Sequence, residues 1–342
     1  MLVPVQVLRN KDNLEEDEEM KKVQKLLFAF IVLLLTAGML AGCGSNNAAD
    51  EKKGGEQGTE QQTGGAFPLT VTDATGAEIT IEKEPQRIVS LVPNTTEIVF
   101  AIGLGEKVVG RSEWDNYPEE VLEIESIGDM NFNVEKVISL NPDLVLGIAS
   151  QAASTPEGLQ QLKDAGLTVV LVEEAASLEQ VYDNIALLGK ITGAQDKAEE
   201  VIHDMKSRIA KVKEKTAQIE EKKSVIFEID PEPYVAGKNT FMDEMLSIIN
   251  AENLITEEGW FKIDQESYIE RNPDVILTTY GSFFEDDPVK MVTSRPGWQD
   301  VTAVKENQVY DVHNDLVTRP GPRLVEGVEE VAKLVYPEVF SE

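Results

Sequence analysis

Cysteine is nearly absent from this chain: Cys43 is the only one in 342 residues. A lone cysteine closes no internal disulfide and builds no cysteine cluster for zinc or an iron–sulfur centre. Two histidines, His203 and His313, leave no basis for a His-rich transition-metal site. Basic residues number 31 against 62 acidic ones, a formal charge of −31. That charge repels phosphate backbones and excludes a nucleic-acid partner. No apolar run reaches the roughly 20 residues that span a bilayer core. A phosphate-binding loop is also missing, because Gly189-Lys190-Ile191-Thr192 lacks the earlier glycine and sits inside a helical pattern. Nor is there a Gly-x-Ser-x-Gly elbow to supply an esterase nucleophile. No catalytic residue, resident cofactor or metal is expected. The 42% hydrophobic content is that of a folded protein, and the length suits about two domains.

The N-terminus reads as an address. Leu26–Leu35 is an apolar run that continues to Leu40, with Lys21, Lys22 and Lys25 before it and small residues after it. A basic start, an apolar middle and a small-residue end make a secretory signal. It closes on Leu40-Ala41-Gly42-Cys43, which resembles a bacterial lipobox with Cys43 as the lipidation site. Residues 20–42 are therefore expected to be a lipoprotein signal peptide. Residues 1–19, with Asp12 and Glu15–Glu19 where a signal wants base, are expected to be a gene-model extension ahead of Met20. Residues 43–67 are almost free of large apolar side chains and are expected to be a flexible tether. The mature protein is expected outside the cytoplasm, held to the cell membrane by lipid.

From residue 68 on the pattern changes. Leu69–Thr72 and Glu78–Ile81 alternate polar and apolar around Asp73-Ala74-Thr75-Gly76, a hairpin signal. Short apolar runs (88–92, 107–110, 144–148, 168–172) then alternate with helical patterns (95–102, 134–140, 157–165, 178–191). That alternation predicts βα units and a mostly parallel sheet. Residues 194–221 follow, in which Ala198, Val201, Met205, Ile209 and Val212 mark one buried stripe of a long helix. Beyond it the alternation resumes with segments 225–229, 241–249, 265–271, 275–279, 308–312 and 322–335. The two halves share a segment. Glu135 to Leu146 and Glu266 to Leu277, shifted by 131 positions, match at six residues, including Asn-Pro-Asp. The predicted fold is α/β, with two lobes (68–193 and 222–342) bridged by one long rigid helix (194–221) and a ligand cleft between them.

The loops between elements are rich in aromatics and amides: Trp114-Asp-Asn-Tyr117-Pro, Trp260-Phe261, Tyr280-Gly-Ser-Phe-Phe284 and Arg319-Pro-Gly-Pro-Arg323. Ligands of open α/β sheets lie outside the strands' carboxyl ends, so these loops are candidates to meet a large, partly apolar ligand. His313 with Asp311 and Asp315 reads as a solvated turn after a strand, and His203 as a surface residue of the long helix.

The lipobox, Arg87-Ile-Val-Ser-Leu-Val-Pro-Asn-Thr-Thr-Glu97, the Trp114–Pro118 loop, the paired Asn-Pro-Asp segments and the long helix together resemble the binding proteins of cobalamin and iron–siderophore ABC importers, over residues 68–340. The resemblance implies an extracytoplasmic receptor that binds its cargo without chemistry and hands it to a membrane permease dimer driven by an ATPase. It is nearest to the cobalamin branch, on Trp114, Trp260 and Arg319; another cleft tryptophan of that branch falls at Asp129 or Met130 here and is missing. Trp114, Tyr117, Trp260, Tyr280 and Arg319 are the expected ligand contacts. Glu135 and Glu266 correspond to carboxylates, one per lobe, that dock on permease arginines; locally they also sit in first turns behind the N-caps Asn133 and Asp264. A ferric siderophore, with Arg319, Arg295 and Arg111 as its cations, is the alternative cargo. Haem, ligated by Tyr117, Met130 or Tyr280, is a third. An enzyme or a kinase-coupled sensor using the same cleft stands further off. A monomer is expected.

Overall fold

The computed structural model describes residues 67–340. The expected lipidation site Cys43, the signal peptide, the extension ahead of it and nearly all of the tether lie outside the described residues. Among the described residues no helix is long and apolar enough to cross a membrane.

A hairpin comes first, β1 (Leu69–Thr72) paired antiparallel with β2 (Glu78–Ile81). Asp73 shapes its turn: one carboxylate oxygen accepts from Thr75 N (2.9 Å), Thr75 Oγ1 (2.6 Å) and Ala77 N (3.2 Å). The first lobe is a four-stranded parallel sheet built from β3 (Ile88–Ser90), β4 (Val108–Gly110), β5 (Leu144–Ile148) and β6 (Thr168–Val172), in the order β4-β3-β5-β6. Its main helices are α1 (Pro93–Ala101), α2 (Val134–Ser139) and α3 (Leu178–Thr192). Next comes the bridging helix α4 (Gln195–Thr216). The second lobe holds β7 (Ser224–Asp230), β8 (Tyr234–Ala236), β9 (Glu252–Asn253), β10 (Trp260–Lys262), β11 (Val275–Thr278) and β12 (Val309–Asp311). Its sheet runs β10-β8-β7-β11-β12, with β9 also on β7. There β7, β9, β11 and β12 are parallel, whereas β8 runs against both neighbours. Helices α5 (Phe241–Ile248), α6 (Gln265–Arg271), α7 (Asn314–Thr318) and α8 (Leu324–Val335) complete the framework.

Apart from the bridging helix, every expected strand and helix is present with ends within two residues of the reading. Three strands were not anticipated, since β8, β9 and β10 are two or three residues long and too short for a periodic signal, and short helices such as α7 were not anticipated either. The bridging helix was expected over 194–221 and stops at Thr216, giving about 33 Å at 1.5 Å per residue. The reason is a side chain from another element. Asn250 Nδ2 donates to the carbonyls of Thr216 (3.3 Å) and Ile219 (3.1 Å), satisfying helix-end acceptors and turning the chain away.

The core explains why the lobes hold together. One face of the first sheet (Ile88, Leu144, Leu146, Val170, Val172) and one face of the second (Val225, Phe227, Val275, Leu277) join a single apolar cluster. Met205, Ile209 and Val212 of α4 run through that cluster, with Ile185 and Leu188 of α3 and Val328 and Val331 of α8. The opposite face of each sheet packs against its own lobe: Val89, Val145 and Val169 on Ile127, Val137 and Leu162, and Ile226, Ile276 and Val309 on Tyr268 and Trp298. Strands buried on both faces read as unbroken apolar runs, which is why they were legible. Gly193, at φ 77°, lets the chain reverse between α3 and α4. A Cβ on Gly189 would overlap Ala198, so that glycine permits the close approach of the two helices.

Asn-Pro-Asp does the same work in both lobes. Asn141 and Asn272 adopt the left-handed conformation (φ 47° and 43°) after α2 and α6. Asp143 then accepts from the backbone N–H of Gln86 (2.9 Å) and Arg87 (3.1 Å), fixing the start of β3. Asp274 accepts from Ser224 N (2.8 Å) and Ser224 Oγ (2.7 Å), fixing the start of β7. Each aspartate pins the strand beside its own.

Candidate functional site

The segments that leave the carboxyl ends of β3, β4 and β12 meet between the lobes. After β3, Pro93 opens α1, and Glu97 lies one turn in with its side chain 2% exposed. After β4, Ser112 Oγ donates to the buried Asp115 (2.7 Å), rooting the loop. Burial raises the Asp115 carboxyl above its usual range, against the lowering effect of hydroxyls from Thr96 and Ser112. With Asp115 turned inward, Trp114 (58% exposed), Asn116 and Tyr117 (43%) are left facing outward. After β12, His313 Nδ1 accepts from Asp315 N (3.2 Å) and so caps α7, which carries Asp315 and leads to Arg319 and Arg323.

These pieces close into one network. Glu97 Oε1 accepts from Arg319 Nη1 and from Arg323 Nη2, both at 2.6 Å, and Glu97 Oε2 accepts from Arg323 Nε at 3.0 Å. Arg319 Nη1 also donates to Asn116 Oδ1 (2.7 Å) and its Nη2 to Asp315 Oδ1 (2.8 Å). Asn116 Nδ2 donates to Asp315 Oδ2 (2.9 Å). The Arg323 guanidinium lies 4.1 Å from the Tyr117 ring centre. Glu97, Asn116 and Tyr117 come from the first lobe, whereas Asp315, Arg319 and Arg323 come from the second. Two guanidinium groups face two carboxylates, so the tie carries no net charge. Beside it opens a cavity of about 540 Å³, walled by Phe100, Met205 and Val325 and by the tie residues Glu97, Tyr117 and Arg323.

The expected ligand residues are thus only partly brought together. Tyr117 and Arg319 join the interlobe tie, and Trp114 stands beside it. Trp260 lies apart on β10, 42% exposed. Tyr280 departs from the expectation of a ligand contact, being 1% exposed. Its hydroxyl donates to Glu228 (2.8 Å), itself fully buried and held by both ends of the Arg295 guanidinium. Burial, and then the Glu228 charge, push the Tyr280 phenol well above its ordinary value. Arg295 also stacks over Trp298, at 4.6 Å. Arg111 is spent on the carbonyls of Val121 (3.1 Å) and Ser112 (2.9 Å). Met130 and Asp129 are exposed. The His313–Asp311–Asp315 trio is no unit, because Asp311 accepts from Thr278 Oγ1 (2.6 Å) and Gly281 N instead. Among the described residues no cluster of His, Cys, Asp and Glu could hold a metal. His203 is exposed on α4.

Glu135 and Glu266 are exposed in the first turns of α2 and α6, capped by Asn133 (accepting from Lys136 N, 2.9 Å) and Asp264 (from Ser267 N, 2.9 Å). Glu97 and Arg323 were not singled out from the sequence. A four-residue spacing of Asp315, Arg319 and Arg323 was there to be read as an ion-pair ladder, but nothing linear joins it to Glu97, 222 residues from Arg319.

The sequence profile of the periplasmic binding protein family matches residues 88–316. An uncharacterised ABC transporter substrate-binding lipoprotein of Bacillus subtilis is 48% identical over 91% of this chain and 97% of its own length. A vitamin B12-binding protein of Vibrio cholerae is 28% identical over 72% of this chain and 87% of its own. Among solved structures, a periplasmic haem-binding protein of Roseiflexus superposes with a TM-score of 0.66 at 27% identity, covering 74% of this chain and 99% of that one.

Proposed function

We propose, from the premise that this chain belongs to the periplasmic binding protein family and is the substrate-binding protein of an ABC transporter, that its cargo is a corrinoid. The observation that carries this reading is electrostatic. A polyanionic ferric chelate needs uncommitted cations, and the three that the sequence offers are all engaged: Arg319 by Glu97 and Asp315, Arg295 by Glu228, and Arg111 by two carbonyls. What remains open is flat aromatic surface at Trp114, Tyr117 and Trp260, suited to a bulky ligand with little net charge. The likeness to a vitamin B12-binding protein supports the same choice.

Haem is the second reading, favoured by the likeness to a haem-binding structure. Of its three candidate iron ligands, Tyr280 is buried with its phenol donated to Glu228 and offers no phenolate, which leaves this reading to the exposed Tyr117 and Met130. Titration calorimetry with cyanocobalamin, haemin and a ferric siderophore, on residues 44–342, separates the three. Submicromolar binding of cyanocobalamin alone is expected; tight haemin binding without it overturns the reading.

The rest of the assignment follows from the same role. Cys43 carries the lipid that keeps the receptor at the membrane outside the cytoplasm. Glu135 and Glu266, one exposed carboxylate per lobe, face arginines of the permease and orient delivery. Binding without turnover is the function assigned, on the likeness to transporter substrate-binding proteins.

A further inference from the structure

We infer that Phe283 and Phe284 are cargo contacts supplied by the second lobe. The inference rests on the reading that cargo is held between the lobes, although not on which cargo it is. Two adjacent phenylalanines left in the open give up the free energy of burying their rings, and a contiguous apolar patch of this kind marks a surface that meets something else. Phe283 is 67% exposed, the most of any large apolar side chain among the described residues, and Phe284 is 43% exposed. The turn from which they project is rooted in Tyr280. Its hydroxyl is committed to the buried Glu228 (2.8 Å), its carbonyl accepts from Phe283 N (2.9 Å), and its ring meets that of Phe284 edge-on, with centres 5.8 Å apart. Tyr280 thus spends its side chain inside the lobe, while the two rings after it stay in solvent.

The place of the pair in the fold points to cargo as what covers it. Strands β11 and β12 are parallel and release their loops at the same end of the sheet, the end at which ligands of open α/β sheets lie. After β12 that end leads through His313 into α7, whose Asp315 accepts from Asn116 of the first lobe (2.9 Å). The loop after β11 is fastened at the same spot. Gly281 N donates to Asp311 Oδ1 (3.2 Å) at the end of β12, and Asn314 Nδ2, on the first residue of α7, donates to Thr279 Oγ1 (3.5 Å). The pair therefore borders the interlobe site from the second lobe, as Trp114 and Tyr117 border it from the first. A bulky ligand seated between the lobes gains a second flat apolar contact there, distinct from Trp260 on β10.

The test titrates cyanocobalamin, haemin and a ferric tris-catecholate into wild type, Phe283→Ser, Phe284→Ser and Phe283→Leu, all checked for an intact thermal transition, and follows uptake by cells carrying each form. For the titrant that wild type binds, each serine variant should lose about tenfold in affinity, the effect of withdrawing a ring that the ligand covers. Phe283→Leu keeps most of the apolar area and should stay within about threefold of wild type. Phe283→Ser serves if Phe284→Ser does not fold, because Phe283 is the more exposed and Phe284 packs on Tyr280. Unchanged affinity in the serine variants that fold overturns the inference; unchanged affinity with uptake lost overturns it too and assigns the pair to the permease. A wild type that ignores cyanocobalamin but takes one of the other titrants sinks the corrinoid reading alone, because the variants are then compared on that titrant. A wild type that takes none of the three overturns both.

Discussion

Trp114 and Trp260 each present a large ring to solvent. Covering such a ring removes apolar area from water, an effect of about 1–3 kcal/mol per residue. Trp114→Ala and Trp260→Ala should each weaken cyanocobalamin binding by that amount in calorimetry, and unchanged affinity in both removes them from the site. Tyr280 behaves otherwise because its hydroxyl is committed to a fully buried Glu228. An aromatic in a loop is read the same way from sequence whether its neighbour is water or a buried acid. Only burial separated Tyr280 from Trp114.

Among the elements, the helix–Asn-Pro-Asp–strand unit is the most self-explanatory. Asparagine takes the left-handed turn, proline stops the helix, and aspartate captures the first amides of the neighbouring strand. Asp274→Ala should lower stability to urea by about 1–3 kcal/mol, the cost of stranding a partly buried amide donor, and Asp143→Ala by less, because its amide partners at Gln86 and Arg87 are exposed. No loss in Asp274→Ala would count against this role for the aspartate. The unit was legible because all of its work lies within twelve consecutive residues and one adjacent strand. The end of α4 was not legible, since Asn250 stops it from 34 residues away. The short strands β8 to β10 escaped for a related reason: two or three residues become a strand only when a neighbour pairs with them.

On the scale of the whole molecule, the lobes are joined twice, by a continuous apolar core along α4 and by the charged tie at Glu97. The proposed delivery to a permease is tested on the outer surface. Replacing both Glu135 and Glu266 by arginine should leave cyanocobalamin affinity within about twofold, both sites being exposed helix starts, yet abolish uptake by cells, because complementary charge governs encounter and register. Retained transport in the double variant would argue against docking through these carboxylates.

Read alone, the sequence determined the α/β alternation, the repeated unit and the long helix. Those properties show as patterns within short stretches of sequence, even where, as at Asp143 and Asp274, the contacts they make are distant. Tertiary structure decided which side chains share a site. Glu97, Asn116, Asp315, Arg319 and Arg323 are spread over more than two hundred positions and meet because two sheets aim the loops from their carboxyl ends at one gap. The charge left to a ligand there depends on how those groups cancel, and that cancellation exists only once the lobes are folded against each other.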